Sequence, residues 1–122
     1  MESLIKIMPD YGCFPLWKRN KESEIFQNIN HLDLNISNEI KIKLDEWNLV
    51  YQNTFNNDYP PNSSFINLKA AFDFEKEGLL IWKQLIDETE EQIVYYSVMM
   101  NAIYVSPLSF NDVLNNVGSV SD

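Results

Sequence analysis

The sequence predicts an α+β fold, with a small β-sheet packed by two long α-helices in a single domain over residues 1–122. Three observations lead there. After Ser37, the residues Ile40, Leu44, Trp47, Val50, Tyr51, Thr54 and Phe55 recur at three- and four-residue spacing, which makes one apolar helical stripe. After Asn67, the residues Phe72, Leu79, Trp82 and Ile86 do the same. The segment IVYYSVMMNAIYV (93–105) is apolar on both alternating faces, as befits a strand inside a sheet covered on each side. At 122 residues the chain is long enough for one packed core and too short for two.

Residues 4–8 (LIKIM) read as a strand ended by Pro9, which cannot donate to a ladder. In YGCFPLW (11–17), Gly12 and Pro15 impose bends while Tyr11, Phe14, Leu16 and Trp17 stay apolar, so this is an aromatic loop packed over the sheet end. The polar stretch KRNKESE that follows reads as a loop, with Glu24–Asn28 a candidate short strand.

Ser37 caps the first helix, and Glu39 in its first turn suits the helix dipole. The helix is expected to reach about Phe55 before Asn56-Asn57-Asp58 and Pro60-Pro61 stop it. The second helix runs from an Asn67 cap to about Glu88, with LLIW (79–82) largely buried. Gly78 in its middle costs about 1 kcal/mol relative to Ala, so another element is expected to approach closely there.

The sheet is expected from about residues 3–8 and 92–105, with Asn101 dividing the second segment into two strands. Pro107 ends it. LSFNDVLNN offers one helical turn, and residues from about 116 to 122 read as a frayed tail.

The net charge is −9, and residues 44–122 carry all of it, with twelve acids against three bases. Such a field repels nucleic acid and anionic membrane and speeds encounter with a cationic protein. After Lys83 there is no base, yet Asp87, Glu88, Glu90, Glu91 and Asp112 follow. Four carboxylates at a helix C-terminus oppose its dipole and repel one another. These five acids are therefore the expected partner-binding residues.

Catalytic chemistry has little to build on. Cys13 with the single histidine, His31, and Asp10 or Asp33 would supply the residue types for a thiol nucleophile, but no signature surrounds the cysteine. A lone cysteine between aromatics reads as a small buried hydrophobe. No metal-ligand spacing and no glycine-rich phosphate loop occur, so no catalytic residue, metal or cofactor is expected. Asp73 and Glu77 read as a solvated helix face. A single cysteine, no apolar stretch behind a basic N-terminus and no span of roughly 20 apolar residues lead to an expected cytosolic location.

The most distinctive stretch is Met8–Trp17 (MPDYGCFPLW), followed by Asn28-Ile29-Asn30 and by Leu32–Ser37 leading into a helix with Leu44 and Trp47. Beyond Tyr51 and Phe55 come Ser64-Phe65, Ala71-Phe72, Glu77-Gly78 and Leu80 to Leu85. This pattern resembles a family of small bacterial immunity proteins of polymorphic toxin systems, including contact-dependent growth inhibition. The resemblance covers about Met8–Ile86. It implies an α/β fold, no catalytic residues, and a cytosolic protein that neutralises a sibling toxin. With the acidity it points to stoichiometric inhibition of a basic toxin, expected to be a nuclease, because nucleases are basic in order to bind phosphate. The alternatives are an acidic interaction subunit with no toxin partner, and a small enzyme using Cys13 and His31.

Overall fold

Strand β1 (Ser3–Ile7) stops two residues short of Pro9, with Ile5 and Ile7 buried on one face. The structure, a computed structural model, describes residues 3–20, 22–60 and 63–105. The chain turns through Gly12, whose φ of +74° favours a residue without Cβ. It returns as β2 (Leu16–Asn20), antiparallel to β1 with Leu16 opposite Ile7 and Arg19 opposite Leu4. β3 (Gln27–Ile29) pairs antiparallel with β2, placing Ile29 opposite Leu16.

The start of the polar stretch is thus a strand and not a loop. Leu16 is fully buried between Ile7 and Ile29 and sets the register. Lys18 and Arg19 remain compatible with it because long basic side chains lie along the sheet and keep their charge at its edge. The Arg19 guanidinium and the Lys6 ammonium both sit over the Phe26 ring, at 5.4 and 4.3 Å from its centre.

Helix α1 (Asn38–Gln52) begins where its cap predicts, with Ser37 Oγ accepting from the Ile40 amide. It ends three residues before Phe55. The Thr54 and Phe55 amides bond to the carbonyls of Tyr51 and Gln52, so the last turn tightens to three-residue spacing. Helix α2 (Leu68–Glu88) begins after Asn67, whose side chain accepts from the Ala70 amide. Of the LLIW run, Leu79, Ile81 and Trp82 are fully buried, while Leu80 is exposed.

β4 (Gln92–Ser97) lies parallel to β1, with Ile93 opposite Ile5, and β5 (Ala102–Tyr104) returns antiparallel to β4. Strand order is β3-β2-β1-β4-β5. The expected break falls at Asn101, whose φ of +51° makes the turn between β4 and β5. Pro107, the helical turn expected at 108–116 and the expected tail lie outside the described residues.

The core joins Ile5, Ile7, Leu16, Ile93 and Tyr95 of the sheet to Ile40, Leu44 and Trp47 of α1 and to Leu79, Trp82 and Leu85 of α2. Gly78 lies where these layers meet. A Cβ at that position would overlap Tyr95 Oη and stand 2.7 Å from Trp47 Cζ2, so the close approach expected of this glycine is met by two aromatic rings.

Candidate functional site

Helix α2 ends when the Thr89 amide bonds to Leu85 and the backbone at Thr89 turns extended. Glu90 and Glu91 carry the chain from there into β4. The short crossing leaves a concavity of about 250 Å³ lined by Leu34, Ile36, Leu85 and Ile93, with Glu88, Glu90 and Glu91 around it. An apolar floor bordered by carboxylates suits the alkyl stem and charged head of a lysine or arginine.

These carboxylates are not equivalent. Glu88 Oε1 accepts from the Ser37 amide and Oε2 from the Ser37 hydroxyl, both at 2.8 Å. A charge that opposes the dipole of α2 thereby sits at the N-terminus of α1, where a dipole favours it. Glu91 takes a hydrogen bond from Ser3 Oγ and an ion pair from Lys18 at 3.3 Å. Asp87 and Glu90 are exposed, and among the described residues neither has a hydrogen bond or ion pair. Of the five acids nominated by sequence, three meet at the concavity, Asp87 lies beside them on α2, and Asp112 lies outside the described residues.

Cys13 is half-buried, and its thiol points to the Tyr11 carbonyl at 3.6 Å. His31 is buried, with Nε2 2.5 Å from Asp45 Oδ1 and Nδ1 without a hydrogen-bond partner among the described residues. The carboxylate that meets the histidine is therefore neither Asp10 nor Asp33. Asp10 accepts from the Tyr11 amide instead. Nothing in the sequence joins His31 to a residue fourteen positions away on α1.

Glu75 is the buried polar group that sequence reasoning missed. It is fully enclosed in α2, and its Oε1 accepts from Tyr95 Oη at 3.2 Å. Among the described residues Oε2 makes no hydrogen bond of normal geometry. Burial pushes its pKa up; the Ser97 hydroxyl, Tyr95 and the Met99 amide pull against that shift. The signal was available, because Glu75 lies one turn before Gly78 and Leu79 on the buried stripe.

The aromatic loop packs against α1. Tyr11 stacks on Tyr51 at 4.6 Å, the Gly12 amide donates to Gln52 Oε1, and Gln52 Nε2 donates to the Asp10 carbonyl. Burial, with Tyr11 and Asp10 beside it, raises the Tyr51 hydroxyl to about 12. Asn28 holds Phe14 at both ends, accepting from its amide at 2.8 Å and donating to its carbonyl at 2.7 Å.

No helix among the described residues is long and apolar enough to cross a membrane. The family model described as Serratia CdiI immunity protein-like matches residues 3–98, which takes in every element from β1 to β4. Comparison with curated proteins gives no match. The chain belongs to this immunity protein family.

Proposed function

We propose, with membership of that family as the premise, that the protein binds and neutralises a cognate toxin domain in the cytosol, one to one, by electrostatically steered binding. The toxin is a basic domain that cuts RNA or DNA. The observation that carries this reading is the −9 charge held entirely by residues 44–122. An acidic inhibitor competes for the field by which a nuclease attracts phosphate. Asp87, Glu88, Glu90, Glu91 and Asp112 meet the cationic surface, and the concavity beside α2 takes the stem of one lysine or arginine. The acids held by Ser37, Ser3 and Lys18 are ordered before the partner arrives, which lowers the entropy lost on binding.

The test begins with the gene's neighbourhood: a toxin domain encoded directly upstream supplies the partner, and the lack of one counts against the role. Co-expression should protect cells from that toxin, and association should be fast and sensitive to salt. The on-rate should fall about tenfold between low and physiological ionic strength, with a smaller change in off-rate. An on-rate that does not move with salt would overturn the steered mechanism, and failure to protect would overturn the role.

A further inference from the structure

We infer that the outward ridge of α1, together with Phe14 and Leu32, anchors the toxin, and that a toxin patch with an apolar centre and a lysine or arginine border seats on it. This inference rests on the neutralising role proposed above. At 100° per residue, Ile42 and Leu49 fall on the side of α1 opposite Ile40, Leu44 and Trp47, which face the core. They are 57% and 59% exposed. Phe14 and Leu32 are 42% and 47% exposed.

The four belong to one strip. Asp45 lies between Ile42 and Leu49 along the helix and bonds to His31, Leu32 is the next residue, and the Phe14 ring stands edge-on to the His31 ring at 6.2 Å. Single exposed aliphatic residues are ordinary; four large exposed ones grouped about the His31–Asp45 pair are not, and exposed apolar surface of that kind marks contact sites. Asn28 fixes the backbone of Phe14 on both sides, and Asn48 donates to the Cys13 carbonyl, so this aromatic is presented in place. A pre-positioned aromatic at the centre of an interface loses little freedom on binding.

Charge decides what sits there. Asp33, Glu39, Asp45 and Glu46 are exposed along the strip, against two half-buried bases on its flanks, Lys41 and Lys43, the second of which pairs with Glu39 at 3.8 Å. An apolar centre with an acidic border is complemented by an apolar centre with a cationic border. Ser37, which Glu88 holds beside the acidic concavity, lies five residues before Ile42 at the start of the same helix. The two parts act on different rates: the acids draw the toxin in, and the ridge retains it.

The test compares kinetics of the unsubstituted protein with those of an Ile42→Gln/Leu49→Gln double variant, against the toxin domain encoded beside the gene. Glutamine forms helix about as well as the residues it replaces, and circular dichroism with a urea melt checks the fold. The off-rate should rise about 100-fold, as loss of an interface anchor does, while the on-rate changes by less than about threefold. Phe14→Ala, which leaves α1 intact, should raise the off-rate about tenfold. Unchanged off-rates in both variants, or a loss confined to the on-rate, overturn the ridge and leave the neutralising role standing. An unsubstituted protein that neither binds nor protects overturns the role, and the ridge with it.

Discussion

Glu75 is a carboxylate that folding removes from water while leaving one oxygen, among the described residues, without a hydrogen bond of normal geometry. Its folded pKa lies above that of the unfolded chain because burial penalises the charge. Below the unfolded carboxyl pKa of about 4.3 both states are protonated and the group costs little. As pH rises through the window up to the raised pKa, the unfolded state releases its proton first, and stability falls. Above that window the cost is constant. Glu75→Gln keeps an acceptor for Tyr95 and carries no charge, so it should match wild type near pH 4. It should gain stability of order 1–3 kcal/mol at pH 7. Urea melts at both pH values measure this, and an equal difference between the two proteins at both removes the argument. Gly78 was legible at this scale, since a mid-helix glycine has a known cost and so asks for a neighbour. Glu75 was equally legible on the helical wheel, but its charge argued for the surface. The His31–Asp45 bond was not legible, because it joins a short turn to a helix with no local pattern between them.

Between elements, the Glu88 carboxylate is an unfavourable charge at the end of α2 and a favourable one at the start of α1. Ser37 Oγ accepts from the Ile40 amide and donates to Glu88, so cap and clamp share one hydroxyl. The two residues are therefore coupled. In a double-mutant cycle of Ser37→Ala and Glu88→Ala, urea melts should give a coupling of about 1 kcal/mol. A coupling indistinguishable from zero means that the clamp does not hold in solution. Helix starts were legible from Ser37 and Asn67 because a capping side chain acts within three residues. The β2 strand was not, because its support is nonlocal: Leu16 is buried by Ile7 and Ile29, and Trp17 Nε1 donates to the Met8 carbonyl. Read alone, Lys18-Arg19-Asn20 has loop composition, and only its neighbours make it a strand.

At the scale of the whole molecule the charge asymmetry was legible by counting, and the order of the sheet was not, since β1 pairs with β4 across both helices, Ile5 opposite Ile93. A field that arises from all charges must be separated from one that acts at a place. Glu88 and Glu91 are poor probes, because reversing them also removes the Ser37 clamp or the contacts to Ser3 and Lys18. Asp87 and Glu90 are exposed and free of such bonds among the described residues, as are Glu22 and Glu24 near β3. Reversing either pair to lysine raises the net charge by four, from −9 to −5, so both variants change the global field equally. Each should keep its stability within about 0.5 kcal/mol of wild type, as exposed substitutions do. The Asp87→Lys/Glu90→Lys variant should lose about tenfold in on-rate for the toxin domain at low salt, where a local field focuses encounter most strongly. The Glu22→Lys/Glu24→Lys variant should lose only about twofold, through the weakened long-range attraction alone. Equal losses in the two would mean that the charge acts as one diffuse field, and the acids at the end of α2 would then have no claim to be the place where the partner first lands.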